Sequence, residues 1–274
     1  MYSFYDLYKK VHKHNLDNSE YIGNFLANPY SYLKARYYFL TANFIVYAIQ
    51  NLDFNPRYLT FIYILQGFLA MILLNVENIY LNLLSLFLFF SKGTFDWADG
   101  HYARLKNKTS LTGHIIDIYG ARLNSVFFLI GLGLFQYQKY YNDYFLYMLI
   151  FLPIFMFGYL EKYSYQIIFN KLNNIELDVN IDTDKIKKIS SGFFGNIHNY
   201  RNYFINFLDD RSRTVDLIIL ILFIELFSNI NFSYIFFILI FIKWALIWFY
   251  SLIFHSSNNW SEKILIKKNR EIKK

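Results

Sequence analysis

The chain has 274 residues, of which 55% are hydrophobic and 22% aromatic, and it contains no cysteine. This composition is too apolar for an ordinary soluble domain of such length, and the missing thiols exclude disulfides, thiolate metal sites and a cysteine nucleophile. The formal net charge of +7 is informative only through the positions of the basic residues.

The first predicted element, residues 28–50, mixes aromatic and aliphatic side chains with Lys34, Arg36 and Asn43. Such a mixture is typical of an interfacial helix that lies along the membrane surface. The alternative is an additional membrane span, but the apolar part at 37–49 is only about half as long as the roughly 20 residues that a crossing requires. We therefore prefer the surface helix.

Six apolar runs follow, each bounded by polar clusters. A transmembrane helix needs about 20 mainly apolar residues to cross a hydrocarbon core of about 30 Å. The predicted fold is therefore all-α, an integral membrane protein with six transmembrane helices preceded by a cytoplasmic interfacial helix. The runs are residues 59–76, 79–95, 115–135, 144–168, 215–227 and 232–254.

The basic residues predict the orientation of these helices. They concentrate before the first run, after the second and fourth runs and in the tail, whereas the short links between the other runs contribute only Lys139. Under the positive-inside rule, both termini and the longer loops, including 170–210, are cytoplasmic. The predicted organisation is a cytoplasmic N-terminal segment (1–58), a six-helix membrane domain (59–254) and a basic cytoplasmic tail (255–274).

Three carboxylates stand at the ends of two otherwise apolar runs, namely Asp96, Asp99 and Asp117. Ionised groups at such positions are costly to bury, so they are candidate functional residues. On a helix, Asp96 and Asp99 share a face, and His114 shares a face with Asp117. Converging carboxylates without thiolates favour a hard cation such as magnesium, manganese or calcium rather than zinc.

Small residues and one cation separate these aspartates. Gly100, Ala103 and Gly113 would let a flat or phosphate-bearing group approach the backbone, and Arg104 could contact a phosphate. A metal, small residues and a cation together are typical of a diphosphate site. The segment is therefore predicted to bind a ligand that contains a diphosphate.

The same residues resemble the signature of the CDP-alcohol phosphotransferase family, D-x2-D-G-x2-A-R-x8-G-x3-D-x3-D, and every spacing is kept as far as Asp117. The resemblance implies that a substituted phosphate passes from a CDP-alcohol to an alcohol acceptor with release of CMP. It also implies that Mg²⁺ or Mn²⁺ binds to the aspartates, whereas the small residues and the arginine contact the cytidine diphosphate. The implied metal ligands are Asp96, Asp99 and Asp117, and the implied nucleotide contacts are Gly100, Ala103, Arg104 and Gly113.

The sequence departs from this signature at its last position, where Ala121 replaces the aspartate that acts as general base in the family. Alanine can neither accept a proton nor bind a cation. Three explanations stay open. The first is a substitute base, either His114, which lies on the same helical stripe, or His101. The second is a non-catalytic relative that still binds nucleotide and metal, and the third is an alanine introduced by engineering.

The first functional hypothesis is a membrane enzyme of phospholipid or polar-headgroup synthesis. Its partners would be a CDP-alcohol donor, such as CDP-diacylglycerol, an alcohol acceptor and membrane lipid, and no nucleic acid is expected. The resemblance also makes a homodimer possible. The second hypothesis is a non-catalytic sensor or assembly protein that binds CDP-alcohol and metal, which Ala121 favours. A small transporter ranks last, because it would leave the ordered glycines, alanine and arginine unexplained.

Overall fold

The structure is a computed structural model that describes residues 2–18, 29–158, 213–228 and 231–258. Within these ranges the chain forms α-helices and no strand, so the predicted all-α class is confirmed. The helices are α1 (Phe4–Asn18), α2 (Pro29–Ile49), α3 (Arg57–Leu74), α4 (Ile79–Phe90), α5 (Gly93–Leu105), α6 (Leu111–Tyr140), α7 (Tyr144–Phe157), α8 (Arg213–Phe227) and α9 (Ser233–Asn258).

Three of the described helices are long and apolar enough to cross a membrane. They are α3, the stretch Thr112–Tyr140 of α6 and the stretch Ser233–Ile253 of α9. The other predicted spans correspond to helices of 12 residues (α4), 14 residues (α7) and 15 residues (α8). The number of spans therefore stays a prediction, and the part of the fourth run at 159–168 lies outside the described residues.

Helix α2 covers the predicted surface helix. It is 21 residues long, and no part of it is apolar enough to rank among the candidate spans. Its buried side chains include Phe39, Ala42 and Val46, and the helix packs against α1 and α5. Its position at a membrane surface stays a prediction. The loop at 170–210 and most of the basic tail, residues 259–274, lie outside the described residues.

The predicted second run, 79–95, is divided between two helices. Helix α4 ends at Phe90 and α5 begins at Gly93. The Ser91 hydroxyl donates to the Phe87 carbonyl at 2.8 Å and accepts from Gln66 Nε2 at 3.2 Å, which stabilises the break. The first position of α5 requires glycine, because a Cβ at Gly93 would lie only 2.6 Å from Cζ of Tyr38. The break places the aspartates on a separate short helix.

Helices α3 and α6 approach each other closely, as small residues allow in membrane proteins. A Cβ at Gly67 would lie 2.4 Å from Oδ1 of Asn124, and the Nδ2 of Asn124 donates to the Tyr63 carbonyl at 2.8 Å. Farther along, a Cβ at Gly131 would lie 3.3 Å from Cα of Met71. This packing brings the first turns of α3 to the N-terminal part of α6.

The chain divides into two compact units, residues 1–141 with 210–233 and residues 142–209 with 234–274. The first unit contains α1 to α6 and α8. In the second unit, the ring of Phe155 lies 5.6 Å from the rings of Phe241 and Trp248, so that α7 packs against α9. The boundaries predicted from sequence, at 58/59 and 254/255, stay predictions.

Candidate functional site

Helix α5 carries the first two aspartates of the motif, one turn apart. Asp99 is only 7% exposed and accepts a hydrogen bond from the Thr60 hydroxyl of α3. Helix α5 is not one of the candidate spans. Burial raises the pKa of Asp99 to about 7, and the hydrogen bond from Thr60 opposes that increase. Sequence alone assigned no role to Thr60, and only the packing of α3 against α5 reveals its contact with Asp99.

The carboxyl groups of Asp96 on α5 and Asp117 on α6 lie close enough to interact. Burial, followed by the charge of Asp117, raises the pKa of Asp96 well above its ordinary value. The structure therefore brings one aspartate of α5 and one aspartate of α6 together.

A cavity of about 630 Å³, which we call the first cavity, lies among the start of α3, the second half of α5 and the start of α6. It contains most of the residues that the motif predicts for the site. Ser110 is the N-cap residue of α6, and its Oγ accepts a hydrogen bond from the Gly113 N–H at 3.0 Å. This cap fixes the start of α6, which forms one wall of the cavity. The predicted residues that line the first cavity are Asp99, Gly100, Ala103, Arg104, Gly113, His114 and Asp117.

The first cavity contains more positive charge than the motif alone indicates. Arg57 and Lys108 line it together with Arg104. The Nζ of Lys108 lies 2.5 Å from Oδ1 of Asp53, an exposed ion pair at the same cavity. Burial lowers the pKa of Arg104, and the charge of Asp99 opposes that shift. Three cations and three aspartates line this cavity, which suits an anionic ligand that also carries a metal ion.

Two further predicted residues, Asp96 and Ala121, line another cavity of about 390 Å³, which we call the second cavity. Helices α2, α3, α5, α6 and α8 all contribute to its wall. Its polar groups comprise two carboxylates, two ammonium groups and several hydroxyls. The polar lining residues are Tyr30, Ser31, Lys34, Tyr38, Tyr63, Lys92, Asp96, Ser125 and Asp216.

A buried ion pair lies in the second cavity. The Nζ of Lys34 is 2.9 Å from Oδ2 of Asp216, and the two side chains are 11% and 10% exposed. Lys34 also donates to the Phe90 carbonyl at 2.8 Å, and the Tyr30 hydroxyl donates to Oδ2 of Asp216. Sequence reasoning missed Asp216, although an acidic residue in the first turn of an apolar helix was a signal that could have identified it.

The two histidines proposed as substitute bases, His114 and His101, do not line the cavity that contains Ala121. His114 lines the first cavity, whereas Ala121 lines the second. His101 is 4% exposed on α5 and lines neither of these two cavities. The assignment of either histidine as base stays a prediction, and the structure does not bring them to the cavity that contains Ala121.

The donor chemistry of the three aspartates fits a hard divalent cation, since all the available ligand atoms are oxygen. Among the described residues, no three His, Cys, Asp or Glu side chains converge on one point as a formed metal site. Instead, Asp99 accepts from Thr60 while Asp96 and Asp117 lie beside each other. A cation bound between these two carboxylates would neutralise their mutual repulsion.

Comparison with known families gives one match. The family model described as CDP-alcohol phosphatidyltransferase matches residues 54–192, just over half of the chain. The match includes every predicted site residue and confirms the resemblance drawn from the motif, although it does not test the alanine at position 121. No curated protein and no solved structure matches the chain at a significant level.

Proposed function

Since this chain belongs to the CDP-alcohol phosphatidyltransferase family, we propose that it is an enzyme of phospholipid or polar-headgroup synthesis. It transfers a substituted phosphate from a CDP-alcohol, such as CDP-diacylglycerol, to an alcohol acceptor and releases CMP. The observation that carries this proposal is the first cavity, whose lining includes Asp99, Gly100, Ala103, Arg104, Gly113 and Asp117 in one space of about 630 Å³.

In this proposal the first cavity holds the cytidine diphosphate. Gly100, Ala103 and Gly113 leave room for it at the walls of α5 and α6, and Arg104 contacts a phosphate. Arg57 and Lys108 add positive charge to the same cavity. Because donors fixed in place before the reaction stabilise the charge that develops on phosphoryl oxygens, these cations favour departure of CMP.

Asp96, Asp99 and Asp117 would hold Mg²⁺ or Mn²⁺. When bound, the cation neutralises charge on the phosphoryl oxygens of the donor. The Thr60 hydroxyl orients Asp99 by donating to it, so that the other lone pairs of this carboxylate stay available to a ligand.

The membrane supplies the lipid-bearing substrate. We propose six transmembrane helices with both termini and the first cavity on the cytoplasmic side, and α2 as an interfacial helix in front of them. Three apolar helices of sufficient length and the asymmetry of the basic residues support this arrangement. A homodimer is part of the same proposal, as the family resemblance implies.

A second candidate is a non-catalytic relative that binds CDP-alcohol and metal as a sensor or assembly protein. The observation that favours it is Ala121, whose methyl group lines the second cavity where the signature has a carboxylate. This candidate predicts CDP binding without release of CMP, whereas the enzyme predicts both.

The decisive experiment measures CMP release by the purified full chain in lipid nanodiscs. The assay contains CDP-diacylglycerol, Mg²⁺ or Mn²⁺, and a pool of glycerol 3-phosphate, myo-inositol and serine. We expect release by the unmodified chain and its loss in Asp99→Asn. Asp143→Asn, an exposed aspartate before α7 whose side chain makes no cap hydrogen bond, is the matched control and should keep the activity.

Two other outcomes identify the second candidate or reject both. If the unmodified chain binds CDP but releases CMP only as Ala121→Asp, it is a catalytically disabled relative. If it neither binds CDP nor releases CMP under any of these conditions, both candidates are wrong.

A further inference from the structure

The aspartate pair connects the two cavities. Asp117 lines the first cavity and Asp96 lines the second, and the two carboxyl groups lie close enough for the charge of Asp117 to act on Asp96. If CDP occupies the first cavity, a second substrate in the second cavity reaches the same pair of carboxyls. The second cavity, at about 390 Å³, has room for a small polar alcohol.

The residue that the signature lacks belongs to the second cavity. Ala121 lines it, so a carboxylate at this position would face the same space. Apart from the metal-ligand candidate Asp96, Asp216 is the one carboxylate among the described residues that line the second cavity. The fold therefore places an acidic group from α8 in the cavity where α6 carries an alanine.

Asp216 is held in a way that suits a base. Both of its contacts, from the Tyr30 hydroxyl and from Lys34 Nζ at 2.9 Å, are made to Oδ2, so neither of them uses Oδ1. The two donors orient the carboxylate. Lys34 Nζ also donates to the Phe90 carbonyl at 2.8 Å, which helps to hold the lysine beside Asp216.

Building on the proposed function, we infer that the second cavity binds the acceptor alcohol and that Asp216 is its general base, in place of the aspartate missing at position 121. Oδ1 of Asp216 takes the proton from the acceptor hydroxyl. The acceptor oxygen forms a bond to the β-phosphorus of the donor, and the bond from that phosphorus to the bridging oxygen breaks. CMP leaves with the electron pair, and Asp216 later returns the proton to water.

The lining of the cavity indicates the class of acceptor. Hydroxyl groups of Tyr30, Ser31, Tyr38 and Ser125 offer both donors and acceptors, and the two ammonium groups are balanced by two carboxylates. This surface suits a small, hydroxyl-rich alcohol.

The test compares three variants in the CMP-release assay, each normalised to its CDP affinity measured by titration calorimetry. Removal of a general base typically costs about 10²- to 10⁴-fold in rate. We expect Asp216→Asn to lose CMP release by such a factor while its CDP affinity stays within about twofold of that of the unmodified chain. Glu225→Gln is the matched control, because Glu225 is also a buried, ion-paired carboxylate of α8 but lines neither cavity.

The double variant Asp216→Asn/Ala121→Asp separates a base from a structural residue. If Asp216 replaces the missing base, a carboxylate restored at position 121 faces the same cavity and can take over its role. The double variant should then release CMP at least about tenfold faster than Asp216→Asn. A loss that Ala121→Asp does not restore, with CDP affinity intact, gives Asp216 a positioning role and overturns the inference. Undiminished release by Asp216→Asn overturns it as well but leaves the proposed function standing. Silence of the unmodified chain overturns both.

Discussion

Asp96 of α5 and Asp117 of α6 lie close enough for the charge of Asp117 to raise the pKa of Asp96, with Asp96 lining the second cavity and Asp117 lining the first. Neighbouring carboxylates repel each other unless a positive charge lies between them. The pair therefore provides a site that favours a divalent cation, next to Asp99.

Loss of either carboxylate should weaken metal-dependent ligand binding. We expect Asp117→Asn to raise the Mn²⁺ concentration required for half-maximal CDP binding by at least about tenfold, the lower end of the effect seen when even a supporting group of a metal site is lost. Titration calorimetry of CDP at increasing Mn²⁺ measures this shift. Asp143→Asn serves as control, and an unchanged Mn²⁺ requirement in Asp117→Asn would exclude this residue as a ligand.

Thr60 should affect CDP binding through Asp99. Its hydroxyl donates to this carboxylate, and hydrogen bonds to charged groups contribute about 1.5–3 kcal/mol. Thr60→Val removes the donor with little change of shape, so we expect CDP affinity in the presence of Mg²⁺ to fall by roughly 10- to 100-fold. Thr60→Ser keeps the hydroxyl and should retain most of the affinity. Equal affinities of the two variants would contradict the role given to the hydrogen bond.

The exposed ion pair between Lys108 and Asp53 should regulate CDP affinity electrostatically. The side chains are 40% and 75% exposed, so the pair contributes little to stability. Asp53 nevertheless partly neutralises the positive charge that Lys108 brings to the first cavity. We expect Asp53→Asn to strengthen CDP binding and Lys108→Met to weaken it. Salt screens exposed charges, so both differences should shrink when binding is measured at about 1 M NaCl, where the Debye length is only about 3 Å. Differences that persist at high salt would require another explanation.

Gly67 should be required for the packing of α3 against α6. A Cβ there would lie 2.4 Å from Oδ1 of Asn124 and would displace the side chain that donates to the Tyr63 carbonyl. Overpacking of this kind typically costs about 1–3 kcal/mol, so we expect Gly67→Ala to lower the Tm in detergent. Leu69→Ala, at an exposed position of the same helix, should change it less. An equal Tm for the two variants would show that the close approach of α3 and α6 at Gly67 is not needed for stability.

The break between α4 and α5 shows where prediction from sequence stopped. The run at 79–95 is predicted as one span, because hydropathy averaged over about 20 residues does not register a turn as short as Ser91–Lys92. The turn depends on Gln66 and Tyr38, which contact Ser91 and Gly93 from other helices. Such contacts are tertiary, and no local pattern indicates them.

The sequence by itself determined the helical class and the residues of the aspartate motif. Apolar runs and helical spacing are local properties, so Asp96, Asp99 and Asp117 could be assigned to adjoining helix ends without a structure. Only the tertiary structure decided how these residues divide between two cavities and which distant groups join them. Thr60 donates to Asp99, and the ion pair of Lys34 and Asp216 lines the second cavity. These contacts form because the packing of α2, α3 and α8 brings together residues that are far apart in the chain.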